Sequence, residues 1–111
     1  DAIRRRGENI SSFEVEAMVT EHPSVLECAA IGVPSELGED DVKVVIVLWP
    51  GTELEPRDLL EFLEPRMPRF MLPRYVEITA GLPKTDATFR TRKVELRADP
   101  LNAATWDREA R

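Results

Sequence analysis

The residues of this 111-residue chain that carry chemistry lie near its two ends. Arg4, Arg5 and Arg6 run directly into Gly7, Glu8 and Asn9. Lys84, Arg90, Arg92, Lys93 and Arg97 form a second basic cluster, while the centre of the chain is acidic and the net charge is −6. Two cationic patches on an acidic body suit a bound anion such as a phosphate or a nucleotide; the plainer reading is solvated surface charge. Gly7 fits the first reading, because a residue without a side chain lets backbone and ligand come close, and it equally suits a simple turn. The overall acidity argues against nucleic acid as a partner. Other chemistries are excluded by count. Cys28 is the only cysteine and His22 the only histidine, so neither an internal disulfide nor a four-ligand Cys/His metal site can form. Cys28 sits in an apolar run and reads as a buried, unreactive thiol. His22 precedes Pro23, which disfavours helical geometry before it, so it reads as a helix end rather than a catalytic base.

These side chains need a frame, and the pattern between them supplies one. A short β hairpin is expected at the N-terminus. A first helix should open at Ser11 or Ser12, where Ser11 and Glu14 have capping-box spacing. Val15, Met18 and Val19 form its apolar stripe, and Glu14 and Glu16 favour its dipole. Two strands follow, Val25 to Val33 and Val42 to Trp49, expected as an antiparallel pair around the polar loop PSELGEDD. A second helix is expected from about Glu55 to Leu63, with Pro56 in its first turn and Leu59, Leu60 and Leu63 facing inward. A third strand should run from Arg74 to Thr79, and a short helix from Val94 to Arg97. The tail should end in one last turn capped by Thr105 and anchored by Trp106. There are no repeats or low-complexity segments. The expected fold is a single α+β domain, residues 1–111, with a small mixed or antiparallel sheet of about three main strands covered by helices. No apolar run is long enough to span a bilayer. Asp1 stands where an initiator methionine would, so the chain is expected to come from a longer polypeptide.

Four strings carry a resemblance. GENISSFEVE, AAIGVPSELGEDDVK, FMLPRYVE and LPKT occur here in the order and approximate spacing of the C-terminal lid domain of adenylate-forming acyl-CoA synthetases, and the likeness covers nearly the whole chain. The spelling RRRGENISS and the final TWDREA look most like bacterial ligases of the carnitine or crotonobetaine CoA ligase type. The resemblance implies an ATP-dependent acid–CoA ligase whose large N-terminal domain is the lid's partner. A carboxylic acid first attacks the α-phosphate of ATP, and coenzyme A then takes the acyl group from the adenylate. Domain alternation lets two faces of one lid complete two different sites.

The resemblance also distributes roles. The loop Arg6-Gly7-Glu8-Asn9 matches the one that lines the pantetheine tunnel of coenzyme A. Asp1 matches the hinge. The family carries a catalytic lysine, commonly in a Thr-Gly-Lys segment, shortly after the Pro-Lys-Thr motif. Here Pro83-Lys84-Thr85 is followed by Asp86-Ala87-Thr88-Phe89-Arg90, without the glycine and one residue longer. Aligned backward from Lys93 to Arg97, Arg90 takes the lysine's place; aligned forward from Pro83, Phe89 does. Arg90 is the first choice for the group that bridges carboxylate and α-phosphate, and Lys93 the second. An arginine keeps the charge but brings a broad planar fork. Lys84 belongs to the preceding motif. ATP and CoA are implied as substrates of the full enzyme, with Mg2+ bound through the missing domain and no ligand held by the isolated lid. A cytoplasmic location is expected. Two alternatives stay open: a lid serving a carrier protein instead of free coenzyme A, and a free-standing interaction module for an acidic or phosphate-bearing partner.

Overall fold

The computed structural model of the chain describes residues 2–5, 7–85 and 91–110. Strands β1 (Ala2–Arg5) and β2 (Glu8–Ser11) form the expected hairpin, with Ile3 opposite Ile10 and both side chains buried. Helix α1 (Ser12–Val19) follows without a break. Its register matches the apolar stripe, since Val15 and Val19 are fully buried. The expected capping box does not form: Ser11 sits at the N-cap but its side chain makes no capping hydrogen bond. Ser11 is already the last residue of β2, and its backbone is committed to the hairpin.

Strands β3 (Val25–Pro34) and β4 (Asp40–Leu48) pair antiparallel across the polar turn, as expected. Helix α2 (Pro56–Leu63) buries Leu59, Leu60 and Leu63. A short 3-10 turn at Arg69–Met71 leads into β5 (Tyr75–Ile78), which lies parallel to β4. Helix α3 (Lys93–Ala98) comes next. The tail departs from expectation. Thr105 does not cap a turn; it opens a strand, β6 (Thr105–Asp107), that pairs antiparallel with β5. The free edge of β5 offers unpaired backbone groups, and three residues are enough to satisfy them once the edge is in place. The main sheet is therefore four-stranded and mixed, in the order β3-β4-β5-β6.

Strand β4 is interior and buried on both faces, which accounts for its nearly continuous Val/Ile run. Val42, Val44 and Ile46 join the main core with the hairpin, α1 and α2. Val45 and Val47 pack on the opposite face with Ala29 and Leu82, and Leu96 of α3 covers them. Lys43 lies in that same run and is fully buried. Its ammonium is 2.8 Å from Glu77 Oε1 and 3.1 Å from Thr105 Oγ1, and it also donates to the Pro100 carbonyl. A buried ammonium is tolerable only with its donors matched in this way. The match ties the C-terminal tail to the centre of the sheet.

Candidate functional site

The first candidate face is the hairpin. Its turn end is tied to the sheet. The Arg5 guanidinium lies 2.8 Å from Asp41 Oδ1, and the Arg4 backbone N–H donates to Asp40 Oδ2 at 3.3 Å. Asp41 in turn accepts from Arg74 at 3.1 Å. Gly32 makes room for this arrangement: a Cβ there would stand 2.7 Å from Asp40 Oδ2. Directly beyond these tethered residues, Gly7 turns the chain with φ +74°, a left-handed conformation that favours glycine. Its two chain neighbours aside, no atom lies within 4 Å of where its Cβ would sit, and Gly7, Glu8 and Asn9 are all exposed. Three of the four residues assigned to the pantetheine loop thus occupy an open tip. Arg6, the fourth, and the hinge residue Asp1 lie outside the described residues.

The second face surrounds the basic loop. Its two feet are joined: Lys84 and Thr91 form an isolated antiparallel bridge, and the Arg92 N–H donates to the Pro83 carbonyl at 2.8 Å. Residues 86–90 between them, including Arg90 and Phe89, lie outside the described residues. Lys84 is ion-paired with Glu27. Lys93 begins α3 with its ammonium 2.7 Å from Glu16 Oε2 and 3.1 Å from Ser12 Oγ. The same Glu16 oxygen accepts the Ala30 backbone N–H at 2.8 Å.

Lys93 also lies over the Phe13 ring, 5.5 Å from its centroid. An open groove of about 470 Å3 runs here, lined by Phe13, Glu16, Cys28, Thr91, Lys93 and Val94 among others. Phe13 and Val94 are largely exposed on its rim. The Cys28 thiol is pushed well above its ordinary value, first by burial and then by the Glu16 carboxylate, against the pull of Lys93. It is therefore a protonated thiol at neutral pH, in keeping with an unreactive role. His22 lies past the end of α1, which stops at Val19, in the turn leading to β3: its Nδ1 accepts the Ser24 N–H at 3.0 Å and its ring meets Phe62 edge-on.

By its place in the sequence Glu16 suits the dipole of its own helix at least as well as a ligand contact. The structure pairs it with β3 and α3. No local signal announces this, because Glu16 and Lys93 are far apart in the chain and meet only through the fold.

A hairpin presenting a left-handed glycine, a four-stranded mixed sheet and a loop whose two feet are bridged make up a small α+β module. The chain belongs to the family described as the AMP-binding enzyme C-terminal domain, whose model matches residues 14–88. It is 37% identical over 82 residues to a crotonobetaine/carnitine–CoA ligase of Proteus mirabilis, covering 74% of this chain and 16% of that protein. It is 34% identical over 97 residues to the peroxisomal trans-cinnamate:CoA ligase of Petunia hybrida, covering 87% of this chain and 17% of that protein. Among solved structures, MatB from Rhodopseudomonas palustris superposes with a TM-score of 0.83 at 28% identity, over 88% of this chain and 19% of that one. The amide bond synthetase McbA from Marinactinospora thermotolerans superposes with a TM-score of 0.81 at 31% identity, over 88% and 20%. The chain spans about one sixth of the length of the curated relatives it matches.

Proposed function

We propose that this chain is the mobile C-terminal domain of an ATP-dependent acid–CoA ligase. In the first half-reaction a carboxylate oxygen attacks the α-phosphorus of ATP, a new P–O bond forms, and pyrophosphate leaves. In the second, the coenzyme A sulfur attacks the acyl carbonyl, the C–S bond forms, and AMP leaves. The proposed partner is the large N-terminal domain, which would hold ATP and the acid. Relatives named as CoA ligases and an ATP-bound MatB structure in the same fold family support this reading.

The observation that carries it is the exposed Gly7 tip on a hairpin held to the sheet right beside the turn, by Arg4 and Arg5. Such a tip can slide a bare backbone alongside a narrow pantetheine arm, with Glu8 and Asn9 beside it and Arg6 supplying charge. For adenylation, Arg90 is the proposed bridge between carboxylate and α-phosphate, where a cation offsets the repulsion of two anions. Lys93 is the second choice. Asp1 is the proposed hinge. Among the described residues no three His, Cys, Asp or Glu side chains cluster as a metal site, and no step here is routed through Mg2+. No described helix is long and apolar enough to cross a membrane. The cytoplasm is the proposed compartment, and fractionation of the parent protein tests it.

A second reading changes only the acceptor. The likeness to an amide bond synthetase means that the fold alone does not select coenzyme A. The test is an assay of the full-length parent with ATP and a panel of carboxylic acids, offering coenzyme A, a carrier-protein pantetheine or an amine. Acid-dependent pyrophosphate exchange followed by thioester formation with free coenzyme A is the expected result. Exchange without coenzyme A transfer would reassign the acceptor. An absence of exchange with every acid would remove the reading.

A further inference from the structure

The junction of α1, β3 and α3 carries an inference that rests on the proposed function and refines it. Helix α3 has six residues and none of them is fully buried. Leu96 supplies its apolar contact with the sheet. A helix so short has little intrinsic stability, and its placement depends on the few tertiary contacts it makes. Lys93, its first residue, makes the polar one.

The partner of Lys93 is itself fixed. Glu16 Oε2 accepts the Ala30 N–H from β3 at 2.8 Å. Strand β3 is an edge of the sheet, so this N–H points away from β4 and lacks a ladder partner. By filling that vacancy the carboxylate is locked in one orientation. Lys93 Nζ then meets the same oxygen at 2.7 Å and Ser12 Oγ at 3.1 Å. The two side chains are only 14% and 17% exposed, and Ser12 is fully buried. Charge-assisted bonds between fixed, largely buried partners are the strong kind.

The consequence lies in the chain order. The returning foot of the basic loop is Thr91, bridged to Lys84, and Lys93 stands two residues beyond it. Arg90 immediately precedes Thr91. Whatever anchors Lys93 therefore anchors the Thr91 foot of the loop. An ammonium already satisfied by a carboxylate, a hydroxyl and an aromatic face is poorly suited to leave for a phosphate.

We infer that Glu16 and Lys93 form a positioning pair for the adenylation half-reaction, holding the Thr91 foot of the basic loop in place. Neither of the two touches the reacting atoms. The pair acts on the first half-reaction and leaves the hairpin face, used in the second, where it is.

The test uses the full-length parent protein and four variants: Glu16→Gln, Lys93→Met, the double variant and Lys93→Arg. Pyrophosphate exchange reads the first half-reaction. Conversion of preformed acyl-adenylate to thioester reads the second, and a thermal melt confirms folding of each variant. Misplacing a catalytic group by about 1 Å costs on the order of a hundredfold in rate. Glu16→Gln and Lys93→Met are each expected to lower the exchange kcat about tenfold to a hundredfold, with KM for ATP within about twofold. The double variant is expected to be no worse than the poorer single one, because both remove one interaction. Lys93→Arg should recover most of the rate. A large loss in Lys93→Met with wild-type exchange in Glu16→Gln would overturn the inference and make Lys93 a substrate contact. Equal losses in both half-reactions would reduce the pair to a structural role and also overturn it. If Lys93→Met fails to fold, Glu16→Gln alone decides. A parent that supports no exchange with any acid would remove the proposed function, and the inference with it; unaffected exchange in every variant would remove the inference only.

Discussion

Arg74 grips Asp107 with two donors, Nε 3.0 Å from Oδ1 and Nη2 3.3 Å from Oδ2. Its remaining nitrogen reaches Asp41, which also holds Arg5. Arg5, Asp41, Arg74 and Asp107 thus form one chain of charge from the hairpin across the sheet to the last strand. The fork of an arginine makes this possible, since one planar group serves two carboxylates at once.

This chain of charge gives the domain an acid-sensitive seam. The Asp107 carboxyl is held below its ordinary value of 3.8, mainly by the Arg74 hydrogen bond, with burial opposing and the Glu109 backbone N–H assisting. A depressed folded value means that the contribution is present above the unfolded value and is lost as pH falls through the folded one. Both side chains are partly exposed, so solvent screening limits the effect to about 1 kcal/mol. Asp107→Asn should lower the urea midpoint at pH 7, and the gap to the unmodified chain should be smaller at an acid pH below 3.8 than at pH 7. Urea titrations at the two pH values check this.

Lys43 should be far less tolerant. Lys43→Met leaves the Glu77 carboxylate with the Asn102 side-chain N–H and no cation, and it releases the Pro100 carbonyl and Thr105 hydroxyl. Breaking a buried pair from one side costs about 3 kcal/mol or more. Replacing both members, Lys43→Met with Glu77→Leu, should recover a large part of that loss. Chemical denaturation of the three variants measures the difference.

Gly32 is constrained by a neighbour rather than by its own backbone. Gly32→Ala would press a methyl group onto the Asp40 carboxylate that receives the Arg4 N–H. Overpacking of this size costs about 1–2 kcal/mol. Asp40→Ser in the same chain should relieve the clash, and the pair of variants should be closer in stability to the original than Gly32→Ala alone.

Gly7 presents the opposite case. Space is free around it, so Gly7→Ala is penalised only by its left-handed backbone, by about 1 kcal/mol. In the full-length parent the same change should raise KM for coenzyme A more than it disturbs pyrophosphate exchange. Equal effects on both half-reactions would argue against a pantetheine role for the tip.

Cys28 should resist alkylation. Burial and the Glu16 carboxylate both disfavour its thiolate, and only Lys93 favours it. Iodoacetamide at pH 8 is expected to react at least about tenfold more slowly with the folded chain than with the urea-unfolded one. Lys93→Met should slow the folded reaction further, since the one favourable charge is gone.

Much of this organisation is legible along the chain because it is local. The run VKVVIVLW announces an interior strand, and Leu59, Leu60 and Leu63 announce one face of a helix, through periodicities that need no knowledge of the rest. Gly7 after three arginines announces a turn. The hairpin, both main helices and the β3–β4 pair therefore lie where residue patterns place them.

What the tertiary structure alone decided is the set of partners. Thr105–Asp107 carry too short a pattern to read as a strand and become one because β5 leaves an edge open. Ser11 has the spacing of a cap, yet the hairpin uses its backbone first. Glu16 and Lys93, Lys43 and Glu77, Arg5 and Asp41 are ordinary charged residues by spelling, and each becomes specific when folding brings a distant counter-charge into a partly dry place. Local patterns encode backbone geometry because neighbouring residues share it; long-range electrostatics depends on distances that exist only after the chain has closed on itself.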